Sequence, residues 1–231
     1  ELIDTGIFDE DRYFDVFVTY AKASPEDICI RIEVHNRGPA DAPIHIIPNL
    51  WFRNTWSWGA QREQAPAISL FKNTKNYLCF LADDSQAPGL TNLPFEYKLG
   101  RRYIYCEAGG SPLFTDNESN SARLHGTPAS DGRSYFKDAF HRHIVNGEPC
   151  VNPAMQGTKA CVNYVRMVPA GQHVRIELRM NAELLSRPFS DTDAIFDRRQ
   201  NEADEFYDSI HPAAASIDER LIQRQAFAGL M

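Results

Sequence analysis

No stretch of this sequence approaches the ~18–20 consecutive apolar residues of a membrane-spanning helix, so no membrane partner is expected. Positive charge is in deficit. Lysine and arginine number 24 against 31 aspartates and glutamates, a net charge of −7. Nucleic acid, which is held by a basic stripe, is therefore not an expected partner. Cysteine is sparse and scattered: Cys29, Cys79, Cys106, Cys150 and Cys161 are odd in number, and no two have zinc-site spacing. Free thiols in a reducing compartment are the simplest account, which points to the cytoplasm. No signal peptide is visible, and the chain opens on Glu1 rather than methionine, which leaves room for residues upstream. Nothing in composition or spacing calls for a cofactor or a resident metal. At 231 residues the chain buries roughly 70% of its unfolded surface and needs no staples.

Tryptophan is also scarce, and its placement is informative. Trp51, Trp56 and Trp58 all fall in Leu50-Trp51-Phe52-Arg53-Asn54-Thr55-Trp56-Ser57-Trp58-Gly59. A strand runs into this stretch from Ile44. Ile44, Ile46, Pro48, Leu50 and Phe52 share one face; His45, Ile47, Asn49, Trp51 and Arg53 share the other. The first face suits a core. The second mixes an indole plate with polar groups that fix hydroxyls, which suits a sugar or another domain. Trp51 reads equally well as core filling, whereas Trp56 and Trp58 fall where the strand runs out. Pro48 cannot donate to a ladder, so the strand lies at an edge or is bulged there.

Strand patterns dominate the rest. An acidic opening segment, with Asp4, Asp9, Glu10 and Asp11, reads as an edge strand and a turn. Phe14, Val16, Val18 and Tyr20 alternate with polar neighbours, as do Ile28, Ile30, Ile32 and Val34. Residues 77–82 and 101–106 are short apolar runs, and 107–133 reads as a long polar excursion. Residues 161–168 and 173–180 flank Pro169-Ala170-Gly171-Gln172, which reads as a hairpin. After Ser190 the period becomes helical. Ser190-Asp191-Thr192-Asp193 resembles a capping box, and Ser216-Ile217-Asp218-Glu219 matches a second one. The pattern predicts a mainly β protein: a large antiparallel β-sandwich over residues 1–187, then helices over 190–231. The last stripe, Leu221, Ile222, Ala226, Phe227 and Leu230, is still apolar where the chain stops, which reads as a cut through a longer protein.

Several blocks occur in a telling order. These are Phe8-Asp9-Glu10-Asp11-Arg12-Tyr13-Phe14-Asp15-Val16, Val34-His35-Asn36-Arg37-Gly38-Pro39 and the tryptophan block, then Lys137-Asp138, Val151-Asn152-Pro153 and Gly157-Thr158-Lys159-Ala160. Together they resemble the N-terminal half of bacterial and fungal glucosidase-like proteins related to glycoside hydrolase family 63, the mannosyl-oligosaccharide glucosidases. The resemblance implies a super-sandwich over 1–187, a helical linker over 190–211, and the first helix of an otherwise absent (α/α)6 barrel from Ser216. It makes that C-terminal barrel the first expected partner and a carbohydrate the second.

Inverting glycoside hydrolysis needs an acid and a base about 6.5–9.5 Å apart across the scissile bond. The resemblance places that pair in the barrel, so no catalytic residue is assigned here. The candidate carbohydrate-binding residues are Arg53, Asn54, Trp56, Trp58, Lys137 and Asp138, although a loop salt bridge also accounts for Lys137 beside Asp138. On a strand, His141 and His143 would face one way as a metal pair does, but no third ligand follows in spacing. The expected function is that of a non-catalytic domain of an inverting, α-glucosidase-type glycoside hydrolase, packed on its barrel and able to line its sugar pocket. An independent carbohydrate-binding module and a sandwich-type sugar epimerase are the alternatives. Cut from its barrel, the last helix is expected to find its stripe on another copy, giving a truncation-induced homo-oligomer.

Overall fold

Period-two alternation of apolar side chains builds the molecule from Phe14 to Asn181. The computed structural model describes residues 2–57, 64–88, 94–95, 98–126 and 134–230. The large sheet is antiparallel and has seven strands, in the order β1 (Phe14–Ser24), β2 (Asp27–Asn36), β11 (His173–Asn181), β7 (Arg101–Glu107), β6 (Tyr77–Asp83), β5 (Ala67–Asn73) and β9 (Gln156–Gly157). In the small sheet, β10 (Lys159–Val168) is central. Along one side it pairs with β3 (Ala42–Ile46) and then β4 (Asn49–Trp51); along the other it pairs with β8 (Ser111–Thr115). Partner positions sum alike in β3 and β4 (Ile46 opposite Tyr164, Asn49 opposite Cys161), so the two are one edge strand interrupted at Pro48.

One core joins the sheets. Val34, Ile176, Leu178, Phe80 and Ile68 of the large sheet meet Ile46, Phe114, Ala160, Val162 and Tyr164 of the small one. Ile44, Leu50 and Phe52 pack against this core, which is the inward set that the alternation predicts. The architecture is therefore mainly β, with two helices closing the chain. The large sheet is wider than its cover. Val16, Val18 and Tyr20 of β1 pair across to Val34, Ile32 and Ile30 on the inward face, yet all three are exposed.

Three local expectations are corrected. The opening segment is a 3-10 turn over Leu2–Thr5, not an edge strand. Residues 169–172 do not close a hairpin, because β10 and β11 belong to different sheets. Buried Asn36 secures this crossover. Its Nδ2 donates to Val168 O at 2.9 Å, and its backbone carbonyl accepts from Gly171, whose φ of 67° puts it in the left-handed region. Finally, His141 and His143 lie on a helix, where a spacing of two separates their directions. Among the described residues no group of three or more His, Cys, Asp or Glu could hold a metal.

The helices α3 (Thr192–Ile210) and α4 (Ile217–Ala228) attach by different means. The first turns of α3 lie on the outer face of the large sheet, where Ile195 and Phe196 pack with Ala21 and Cys29. The Arg31 guanidinium sits 4.1 Å over the Phe196 ring. Asp191 precedes α3 but makes no side-chain cap; its carboxylate accepts from Arg179 at 2.6 Å instead. Arg179 is also forked onto Asp27 at 2.8 and 2.6 Å and donates to Pro188 O. By contrast, α4 has the capping box that the sequence predicts at Ser216 and Glu219, but no buried residue. It holds to α3 through Arg224 on Asp204 and through Arg224 over the Tyr207 ring. No described helix is long and apolar enough to cross a membrane. All five cysteines are free and buried, and burial pushes the Cys29 thiol up to about 11 and the Cys79 thiol to about 12.

Arg179, with a side chain only 6% exposed, offers a direct test. Arg179→Leu strands the Asp27 carboxylate and is expected to cost about 3–5 kcal/mol in urea unfolding. Adding Asp27→Asn removes the stranded charge and is expected to recover most of that loss.

Candidate functional site

The rim of the small sheet is where the predicted site residues gather. Beyond β4 the chain keeps to the sheet for one more residue, with Phe52 N–H donating to Thr158 O at 3.1 Å. It then turns, because Asn54 Oδ1 accepts from both the backbone and the hydroxyl of Ser57. Asn54 Nδ2 donates to Asn117 O at 3.0 Å, and Asn117 Nδ2 returns a bond to Phe52 O at 2.9 Å. The Trp56 indole N–H donates to Glu118 Oε1 at 3.0 Å. Glu118 O in turn accepts from Lys137 N–H at 3.0 Å. Asn54, Trp56, Lys137 and Asp138 are thus joined through Asn117 and Glu118.

The indoles divide differently from the sequence reading. Trp56 is 2% exposed and turns its rings to protein, whereas Trp51 is 55% exposed on the outer face of β4. Arg53 is exposed on the same outward side, and Trp58 lies outside the described residues. Beyond the short helix α1 (Ser121–His125), Asp138 precedes helix α2 (Ala139–Asn146) and makes no side-chain cap. Its carboxylate takes Arg123 at 3.1 Å, Arg142 at 3.6 Å and the Asn120 amide at 3.3 Å. Arg142 also binds Glu148, and this partner holds the Glu148 carboxyl below its ordinary range.

Helix α2 lies along the outward face of the small sheet because Phe140 packs on Leu113 and Cys161, with Ile47 and Ile144 beside them. Between helix and sheet runs a groove of about 470 Å³ lined by His45, Asn49, Lys137, Phe140, His141 and Lys159, with Ile47, Ile144 and Val145. Of the polar residues, Lys137 is the one named as a carbohydrate-binding candidate, and His141 is weighed only as half of a metal pair. His45 and Asn49 were on the correct face of the strand, but α2 was not recognised. Lys159 could have been found from the Gly157-Thr158-Lys159-Ala160 block, each residue of which has a distinct place. A Cβ on Gly157 would meet Thr115 O at 2.3 Å, so only glycine allows the approach. Thr158 Oγ1 accepts from Asn117 N–H at 2.7 Å, and Ala160 is fully buried. Lys159, opposite Trp51, faces the groove. Its Nζ donates to Lys137 O at 3.3 Å and stands 5.1 Å from the Phe140 ring centre. Burial lowers the Lys159 pKa, and the neighbouring Lys137 charge adds to that, against an opposing effect of Cys161.

A second cluster lies on the outer face of the large sheet, where Glu107, Glu177, Arg175, Phe189, Thr192 and Asp193 line about 410 Å³. Glu107 and Glu177 are neighbours on β7 and β11, and Glu107 Oε2 accepts the Glu177 backbone N–H at 3.1 Å. Glu177 Oε1 accepts from Arg31 at 2.7 Å, while Oε2 is buried with no partner among the described residues. Burial raises the Glu177 pKa, and Arg31 opposes the shift. The direction of this shift, towards the protonated form, is the one a general acid requires.

The lowered Lys159 pKa fixes the sign of a pH effect. Its charged form is disfavoured in the folded state, so the penalty is fully present at neutral pH. The penalty disappears as pH rises from the folded pKa to the unfolded value of about 10.4. Lys159→Met is therefore expected to melt higher than wild type at pH 7. That advantage should shrink as pH rises towards and past about 10.4 in thermal unfolding followed by circular dichroism.

No family model matches the chain. It is 30% identical to a yeast protein, the uncharacterized protein YMR196W of Saccharomyces cerevisiae. The alignment takes in 96% of this chain but 22% of that protein, so the chain spans less than a quarter of the length of the curated relative it matches.

Proposed function

We propose that this chain is the N-terminal sandwich domain of a longer, glucosidase-like glycoside hydrolase, packed through α3 and α4 on an (α/α)6 barrel that carries the inverting acid and base. The observation that carries this reading is α4. Its N-terminus carries a complete capping box, yet Ile217, Leu221 and Ile222 are exposed, as is Leu230 just beyond it, and none of its residues is buried. A twelve-residue helix is marginal in water without packing on its apolar face, so the stripe is built for a covering surface. A relative several times longer supports the presence of such a surface. Exposed Arg53 and Trp51 give the outward rim of the small sheet the chemistry to meet carbohydrate, and the five free thiols suit the cytoplasm. The independent binding-module reading is weaker, because Trp56 is already occupied by Glu118.

A second reading, a sandwich enzyme acting on sugars, is favoured by Glu177 alone. The test is incubation with nitrophenyl glucosides and α-linked disaccharides. No turnover is expected. Turnover that survives repurification and disappears in Glu177→Gln would overturn the proposal in favour of the second reading.

The exposed stripe has a consequence of its own. Light scattering is expected to show self-association of this chain, abolished in Leu221→Ser/Ile222→Ser. A monomeric wild type with α4 fully ordered would show that the stripe needs no cover, and would remove the main support for the barrel.

A further inference from the structure

The groove beside α2 has a charge pattern that the proposed function does not explain. Elsewhere among the described residues the cations are mostly neutralised: Arg31, Arg102, Arg142, Arg175 and Arg179 each meet a carboxylate. Lys137 and Lys159 both line the groove, with the Lys159 ammonium on the Lys137 backbone carbonyl, and no described carboxylate forms an ion pair with either. Asp138, just before α2, is already engaged by Arg123 and Arg142, and Glu148, just after it, by Arg142. Of the Lys159 ammonium's three donors, the described structure accounts for one, on a backbone carbonyl; a ring face lies beside it. His45 and His141 add further ring nitrogens to the lining, and His45 Nδ1 is held by Asn163 Oδ1 at 3.0 Å.

We propose that this groove binds a phosphate monoester, with Lys137 and Lys159 on the phosphoryl group and Phe140 beneath the esterified body. The charge of the ligand follows from the two ammonium groups. A monoanion neutralises one and leaves the other beside it, while a dianion neutralises both and accepts several charge-assisted hydrogen bonds at once. Burial is the main cause of the lowered Lys159 pKa, and the Lys137 charge adds a smaller share in the same direction. The body of the ligand follows from the remainder of the lining. Ile47, Phe140, Ile144 and Val145 form an apolar wall, and Asn49 and His45 stand where hydroxyls can be met. A volume of about 470 Å³ lies within the usual span of small-molecule sites. This inference does not depend on the barrel, or on where turnover takes place.

The test is a titration of the isotope-labelled chain, followed by backbone amide shifts, with glucose 6-phosphate as probe. Shifts are expected at residues 45–49, 137–145 and 159. Glucose is expected to produce none there, and glucuronate and inorganic phosphate each to bind at least about tenfold more weakly. Lys137→Ala and Lys159→Met are each expected to weaken glucose 6-phosphate binding by about tenfold or more. Lys137 is exposed and Lys159→Met relieves a charge penalty, so both variants should fold; the amide spectrum itself reports this. The proposal is overturned by an absence of shifts with glucose 6-phosphate, or by folded variants that bind as wild type does. Glucuronate binding as tightly as the ester would assign a carboxylate site instead. Inorganic phosphate doing so would assign a bare-anion site and remove the role of the apolar wall.

Discussion

The helical end of this protein is positioned by one buried guanidinium. Arg179 lies within β11, where a buried cation is costly unless it is paired and hydrogen-bonded. The fork onto Asp27 takes two of its donors from the neighbouring strand, and Asp191 and Pro188 O take two more from the chain entering α3. That chain therefore cannot leave the sheet without stranding a desolvated charge. The seating of Ile195 and Phe196 on Cys29 and Ala21 follows from this, as does the position of Asp193 beside Arg31. It also explains a local oddity: the residue before α3 gives up its cap to serve Arg179, and the helix starts without a side-chain cap.

The sandwich is asymmetric, and the two candidate surfaces lie where the asymmetry leaves them. A seven-stranded sheet faces a narrower one, so apolar residues on β1 extend beyond the cover. The outward face of the large sheet is charged and partly roofed by α3, which produces the cramped Glu107–Glu177 neighbourhood. The outward face of the small sheet is roofed by α2, which is shorter and leaves a groove open beside it. Contiguous exposed apolar surface of the kind on β1 and α4 is uncommon on a protein that works alone.

Much of this could be read from residues in order. Pro48 implied a strand at an edge or bulged nearby, and β3 and β4 form one edge strand that breaks there. The inward set through Ile46 and Leu50 followed from alternation, and the cap at Ser216 from local chemistry. What could not be read depended on tertiary partners. A turn such as Pro169-Ala170-Gly171-Gln172 has the same local chemistry whether the strands it joins pair or separate. Only the prior claims of β2, β7, β3 and β8 on their edges decide. Trp56 and Trp51 could not be ranked for exposure because the choice lay with Glu118, 62 positions away. Helix α2 was not legible, and His141 and His143 were weighed as a pair on a strand, because the aromatic and histidine residues between Tyr135 and His143 mask a helix of only two turns.

Strand β10 shows how one stretch of sequence can carry stability and recognition without compromise. Its even positions, Ala160, Val162 and Tyr164, face the shared core and tolerate no change of volume. Its odd positions face outward: Lys159 enters the groove, Cys161 supports Phe140, and Asn163 holds His45. The two sets alternate along a strand held on both sides, so neither can slip by one residue without moving a lysine into the core. The register that places Lys159 beside Lys137 is therefore enforced by the packing of the opposite face.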